Sequence, residues 1–381
     1  MTQRRQEIHP GSYVGSGKIR ELAYLVEAND ATSVIFDNDL TPGQVRNLEE
    51  GSKAKVIDRS ELILDIFASR ARSPEARLQV ELAQLEYSMP RLKRMWSHLS
   101  RYRGGIGLRG PGETQLETDR RLIGARIRDL KAKLAVVQKR KEREVGSRRD
   151  EFTVSLVGYT NAGKSHLMST LTKSDIHVAN KLFSTLETRT RQWHLKDFGR
   201  VLLSDTVGFI RDLPHHLVAS FKATLEAARQ SMLLLHVVDA SDPHAEDQIR
   251  SVNEVLKELE CDEKPSILVL NKIDKLEDRS LLDVLAHNHP RAVAISAKTG
   301  EGLEELGDEV IARLTDDFAD AEIVAEAANG KVLSYLSAHA EIYRQQYDDD
   351  GLVRLRCFMP RHLLPRIQGD VIEVTFLDAA G

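Results

Sequence analysis

The 381-residue chain predicts an α/β protein: an N-terminal α/β lobe with an antiparallel helical hairpin, a domain on a mostly parallel sheet, and a small C-terminal α+β module. Three observations predict it. From 151 to 316, short apolar runs alternate with helix-like stretches, as in a mostly parallel sheet. From 74 to 145, two stretches space their apolar residues by alternating fours and threes, the seam of a coiled coil. A glycine-rich octet at 158–165 stands between a strand-like and a helix-like run. The segments read as 1–70, 71–150, 151–316 and 317–381.

In the first lobe, Lys18 to Glu27 sets Ile19, Leu22, Ala23 and Val26 on one helical face. Ser33 to Phe36 and Lys55 to Ile57 are strand-like. Thr41-Pro42 reads as an N-cap followed by proline at the first helical position. Ser60 to Ala71 leads into the next segment.

The first hairpin arm carries Leu78, Leu82, Leu85, Met89, Leu92, Trp96 and Leu99; the second carries Ile123, Ile127, Leu130, Leu134 and Val137. An antiparallel pair buries both seams, so Trp96 is core. Pro90 should bend or break the first arm near Tyr87. At the tip, Arg101, Tyr102, Arg103 and Arg109 stand among glycines. Gly105 to Gly110 fits G-x-G-x-x-G, but it joins two helical arms rather than a strand and a helix, which rejects the dinucleotide reading. Arginines and a tyrosine on a glycine loop suit phosphate contact and base stacking in RNA; the alternative is a long disordered connection. Charge points the same way. Arg70 to Arg149 holds 21 Lys and Arg against 9 Asp and Glu, a net +12 in a chain whose total is −4.

The octet Gly158-Tyr159-Thr160-Asn161-Ala162-Gly163-Lys164-Ser165 fits G-x-x-x-x-G-K-[ST]. It follows the strand-like Phe152 to Val157 and opens the helix-like Ser165 to Leu171. Glycines let backbone N–H groups approach polyphosphate closely, and the helix adds its positive end. Lys164 would reach the β- and γ-phosphates, and Ser165 would hold Mg²⁺. Asp205-Thr206-Val207-Gly208 ends another apolar run. There Asp205 would hold Mg²⁺ through water, and the Gly208 N–H would sense the γ-phosphate. Phe183-Ser184-Thr185-Leu186-Glu187 reads as a polar switch segment with Thr185 a candidate second Mg²⁺ ligand; the bland reading is a loop threonine.

The base is read from Asn271-Lys272-Ile273-Asp274, after the strand-like Ser266 to Leu270. A carboxylate at Asp274 accepts from N1–H and the 2-amino group of guanine, and would be left unpaired by adenine. Ser296-Ala297-Lys298 would close over the base. Catalysis would fall to Lys164, Thr185 and Gly208. Phe209 stands where many GTPases have a water-orienting glutamine, so slow intrinsic hydrolysis is expected. Asn161 could coordinate K⁺ beside the phosphates, or could only stabilise the turn. Gly15-Ser16-Gly17-Lys18 nearly spells a second phosphate loop, but Ile19 stands where a hydroxyl is required, and the matter of a second site stays open.

Only Cys261 and Cys357 are present, which implies no disulfide framework and suits a reducing cytosol. No apolar run approaches a membrane span, and Met1 to Arg5 lacks the apolar stretch of a secretory signal. In the C-terminal module a helix is expected over roughly Val324 to Gln346. A turn at Asp348-Asp349-Asp350-Gly351 and a strand over Leu352 to Phe358 should follow. No function is legible there.

These residues resemble the HflX family of GTPases, in the Obg–HflX group. The resemblance runs through Leu62 to Ala68, Leu78 to Leu85, Gly104 to Asp119, the phosphate loop, and Leu203 to Pro214. It covers roughly residues 9–316. It implies a P-loop GTPase domain binding GTP/GDP and Mg²⁺, and a cytoplasmic protein on the large ribosomal subunit. It further implies ribosome-stimulated hydrolysis, a role in splitting or rescuing stalled ribosomes or in subunit maturation, and a hairpin tip that reaches rRNA. A monomer is expected. Departures are noted. The family usually has a further strand and helix before His9-Pro10, so either an incomplete sheet in this lobe or a misassigned chain start is expected. His166 replaces a threonine after the loop serine. Glu187-Thr188-Arg189-Thr190-Arg191 lacks the proline that commonly restrains the first switch. Two rival readings remain: a GTP-gated RNA-binding module, and a signalling-type GTPase with a protein partner.

Overall fold

The computed structural model describes residues 2–3, 7–92, 111–146, 151–174, 188–196, 198–210, 226–316, 318–348 and 350–377. They form two compact units, one up to Glu142 and one from Arg143 onward. The first begins with α1 (Ser16–Ala28), β1 (Ser33–Ile35), α2 (Pro42–Ser52), β2 (Lys55–Ile57), α3 (Arg59–Arg70) and α4 (Pro74–Ser88). The two strands are parallel, with Val34 opposite Val56. Side chains set the starts of α2, α3 and α4. Thr41 and Gln44 form a reciprocal capping box at α2. Asp58 accepts from the Glu61 N–H at α3, and Ser73 from the Ala76 N–H at α4. Gly15-Ser16-Gly17-Lys18 forms the entry of α1, where Lys18 pairs with Glu21 at 2.8 Å.

Helix α4 stops at Ser88, two residues before Pro90, close to where the proline was expected to end it. Its seam meets that of α5 (Pro111–Gly146): Leu82 is buried with Ile127 and Leu130, flanked by Leu78, Leu85, Met89, Ile123 and Leu134. Arg126 grips Glu81 with two bonds of 2.7 and 2.9 Å, and Lys131 pairs with Glu86 at 2.8 Å. Trp96, Leu99 and the tip residues Arg101, Tyr102, Arg103 and Arg109 lie outside the described residues. Just past α4, Arg91 donates to the fully buried Asp58 at 3.0 Å and to the Leu40 carbonyl at 2.9 Å, with its guanidinium over the Tyr87 ring. Burial and the neighbouring Asp58 raise the Tyr87 phenol's pKa well above its usual range.

The second unit opens with β3 (Phe152–Gly158), α6 (Lys164–Thr172), β4 (Arg189–Leu195), β5 (Gly199–Asp205) and β6 (Leu233–Asp239). It continues with α7 (Ala245–Glu258), β7 (Ser266–Asn271), α8 (Ser280–Asn288), β8 (Val293–Ala294) and α9 (Leu303–Thr315). The sheet order is β4-β5-β3-β6-β7-β8; only β4 is antiparallel to its neighbour. Val154, Leu156, Leu203, Leu235 and Val269 bury its centre, as near-continuous apolar strands require. Strand order reverses at β3, which opens a crevice at the carboxyl ends of β3 and β6.

The last elements are β9 (Phe318–Glu326), α10 (Gly330–His339), β10 (Glu341–Tyr347), β11 (Leu352–Pro360) and β12 (Glu373–Phe376), an antiparallel sheet ordered β10-β11-β9-β12. This corrects the helix expected over Val324 to Gln346. Asn329 accepts from the Val332 N–H and so starts the helix only at Gly330, while Glu341 to Tyr347 pairs with β11. Ala321, Ile323 and Ala325 are buried at period two, the strand signal that an alanine-rich run conceals. Phe318 stacks on Phe152 with centroids 5.8 Å apart and tilts on Phe358 at 5.0 Å, which seats this module on the start of β3.

Candidate phosphate- and base-binding site

Strand β3 delivers the octet to the crevice. Gly158 has φ +144°, and a Cβ there would fall 2.2 Å from the Val237 carbonyl oxygen, so β6 lies too close for any other residue. Gly163 has φ +99°, and its Cβ would fall 2.3 Å from Asn271 Nδ2. Asn161 is also left-handed, at φ 63°. The loop is thus wound tightly before α6 begins, with that helix's positive end beside it. Lys164 is buried, and its Nζ donates to the carbonyls of Gly158 at 2.9 Å and Tyr159 at 2.8 Å. Burial lowers its pKa to about 8, against the opposing pull of Asp205.

Ser165 Oγ donates to Asp205 Oδ2 at 2.6 Å. A hydroxyl and a carboxylate are hard oxygen donors, the set that suits Mg²⁺, which takes few protein ligands beside phosphate and water. Among the described residues no group of three or more His, Cys, Asp or Glu could hold a metal. The pair is a candidate set for that ion, to be completed by substrate oxygens. Beyond Asp205, Thr206 is buried and its Oγ1 donates to the Leu156 carbonyl at 2.7 Å. Val207 and Phe209 are buried as well. The Thr160 N–H donates to Phe209 O at 2.7 Å and the Phe209 N–H to Gly158 O at 3.0 Å. This bridge lays Gly208 against the loop: a Cβ on it would be 3.1 Å from Lys164 Nζ.

At the other end, Asn271 joins two segments. Its Nδ2 donates to the Ala162 carbonyl at 2.9 Å, and its Oδ1 accepts from the Ala297 N–H at 3.0 Å. The Ile273 N–H donates to Ile295 O. Ser296, fully buried, donates from Oγ to Asp274 Oδ1 at 2.7 Å, and Lys298 Nζ stands 3.9 Å from Asp274 Oδ2. Lys272 Nζ donates to the Asn161 carbonyl and to Asp239 Oδ2, each at 2.6 Å.

Gly158 to Ser165, Asp205 to Gly208, Asn271 to Asp274 and Ser296 to Lys298 therefore meet at one edge of one sheet. Phe183, Ser184, Thr185, Leu186 and Glu187 lie outside the described residues. Two residues went unread in the sequence. Asp239 ends β6 at the same edge, and its position after the apolar run Leu233 to Val238 is the signal that marks it. His236 is buried in that strand, where burial, with Lys164 and His289 nearby, lowers its pKa to about 3.

Comparison with known proteins gives matches along most of the chain. Residues 1–68 match a family model described as GTP-binding GTPase N-terminal, and 70–148 one described as GTP-binding GTPase Middle Region. Residues 153–272 match 50S ribosome-binding GTPase, and 282–362 match HflX C-terminal domain. GTPase HflX of Escherichia coli K12 is 47% identical over 363 residues, covering 94% of this chain and 85% of that protein. GTPase HflX of Magnetococcus marinus is 46% identical, covering 97% and 87%. A crystal structure of a GTP-binding protein from the archaeon Sulfolobus solfataricus in complex with GDP is 25% identical, covers 82% of this chain and 89% of that one, and superposes with a TM-score of 0.44. With nearly half of its residues shared along almost its whole length, the chain belongs to the HflX family of GTPases.

Proposed function

We propose that this GTPase is a Mg²⁺-dependent GTP hydrolase that acts on the large ribosomal subunit, in splitting or rescue of stalled ribosomes or in subunit maturation. The observation that carries the nucleotide part is the Asn271 side chain, which ties the phosphate loop at Ala162 to the 296–298 segment at Ala297. One residue thereby holds the phosphate end and the base end in register. Asp274, oriented by Ser296, accepts from guanine N1–H and its 2-amino group. Backbone N–H groups of 158–165 and the Lys164 ammonium face the phosphates. Ser165, Asp205 and Thr185 would hold Mg²⁺, which would supply charge neutralisation at the phosphate oxygens. The Gly208 N–H senses the γ-phosphate. Phe209 offers no group to orient water, so hydrolysis is slow until the ribosome stimulates it. Asn161 adds its side-chain carbonyl for K⁺, and equal turnover in K⁺ and Na⁺ buffers would remove that part.

The family-model descriptions and the basic 71–150 segment support the ribosomal part. We divide the chain into the 1–70 lobe, the 71–150 hairpin that contacts rRNA through its glycine-rich tip, the 151–316 GTPase domain and the 317–381 module. It works as a cytoplasmic monomer; among the described residues no helix is long and apolar enough to cross a membrane. Sedimentation with large ribosomal subunits across a salt series tests this. Arg101→Ala with Arg103→Ala should weaken binding and lower its salt dependence while GTP affinity holds. Loss of GTP affinity, or unchanged ribosome binding, would contradict the division of labour.

A further inference from the structure

We infer that Asp239 is a positioning residue for guanine-nucleotide binding, acting through Lys272. The inference rests on the proposed nucleotide site. Asp239 closes β6, directly opposite Asn271 in the parallel register with β7. Its carboxylate is fully committed. Oδ1 accepts from the Ser241 N–H at 3.1 Å and the Ser241 hydroxyl at 2.6 Å, which leaves Oδ2 aimed at Lys272 Nζ, 2.6 Å away. Both side chains are 15% exposed. A pair so screened from water interacts far more strongly than a surface ion pair.

What this does to Lys272 follows from the other end of the same ammonium. It also donates to the Asn161 carbonyl at 2.6 Å. The lysine backbone is left-handed, at φ 68°, so the chain turns sharply between Asn271 and Asp274 and points the side chain back at the phosphate loop. Its Cε passes close to Gly163, 3.8 Å from where a Cβ would stand. The aliphatic stem is thus stretched between its own backbone and the loop, pinned at its tip by an anion and a carbonyl. A stem held this way is a flat apolar wall beside Asp274, on which a purine face can lie. Without Asp239 the ammonium keeps a single neutral acceptor, and the long side chain regains its rotamers. Asp239 would act on the nucleotide only through this ammonium. It sets the wall and ties the base end of the site to the left-handed turn at Asn161.

The test is a double-mutant cycle on the full chain, read as the dissociation constant and off-rate of a fluorescent GDP. Asp239→Asn should weaken GDP by roughly tenfold or more, the scale of one charge-assisted hydrogen bond, mainly through a faster off-rate. Asp239→Glu should recover part of it. In Lys272→Met, adding Asp239→Asn should cost nothing further, because the carboxylate acts only through that ammonium. Ser241→Ala, which removes one of the two donors to Oδ1 without touching the charge, should show a smaller loss of the same kind and guards against a fold that fails in Asp239→Asn. Equal GDP affinity in wild type and Asp239→Asn, or losses that add in the double variant, would overturn the inference. A wild-type chain that binds no guanine nucleotide would instead sink the nucleotide-site reading on which it stands.

Discussion

The Ser165 hydroxyl lies 2.6 Å from Asp205 Oδ2, although the two residues are forty positions apart in the chain. One opens the helix after the phosphate loop and the other ends the neighbouring strand, so the sheet brings them together. If this pair holds Mg²⁺, Ser165→Ala should lower kcat/KM by about tenfold or more at fixed Mg²⁺. It should also move half-saturation to higher Mg²⁺. Steady-state GTP hydrolysis over a Mg²⁺ titration checks this, and an unchanged curve would dismiss Ser165 as a ligand.

Lys164 is buried with its pKa lowered to about 8. Phosphate brought against it favours the charged form, so GDP binding at pH 8 should take up about half a proton. Calorimetry in two buffers of different ionisation enthalpy measures that uptake, and Lys164→Met should abolish it. The same shift has a sign for stability. Between the folded value near 8 and the unfolded 10.5, the unfolded chain binds more protons, so this group makes stability rise with pH across that window.

His236 works on the acid side. Its pKa is lowered to about 3, and among the described residues its Nε2 has no hydrogen-bond partner. Between 3 and the unfolded 6.5 the unfolded chain again binds more protons, so stability falls as pH drops below about 6.5. His236→Leu should flatten urea midpoints over that range, where the wild-type slope from this one group reaches about 1.4 kcal/mol per pH unit. A slope unaltered by the substitution would place the acid sensitivity elsewhere.

Arg91 anchors the end of the first hairpin arm to the lobe through buried Asp58. Arg91→Ala strands a carboxylate that is 0% exposed. Its two backbone N–H donors, from Leu40 and Glu61, soften the loss, as does the partial exposure of the arginine. A destabilisation of about 2–3 kcal/mol is expected in chemical denaturation, below the figure for a fully buried pair. Asp58→Asn with Arg91→Met should be milder than Arg91→Ala alone.

Much of this was legible in the residues, and the failures have physical causes. Thr41-Pro42 announced α2 because a cap and its proline are local chemistry. The crevice motifs were legible because close backbone approach admits only glycine at Gly158 and Gly163. Val324 to Gln346 misled because its middle is a helix, Gly330–His339, while its two ends become strand only through pairing with β11. Asp239 escaped notice because its place at the end of an apolar run marks its position but not its role, which depends on Lys272, 33 positions away. Arg91 and Asp58 were missed for the same reason.

The most direct measurement is GTP hydrolysis by the purified chain with and without purified large ribosomal subunits, at low and moderate salt. Slow basal turnover with strong stimulation, weakened as salt rises, is predicted by a ribosome-coupled site that carries phenylalanine at Phe209 in place of a water-orienting glutamine. Tight GTP binding with no stimulation at either salt would contradict the ribosomal role and leave the nucleotide site standing alone.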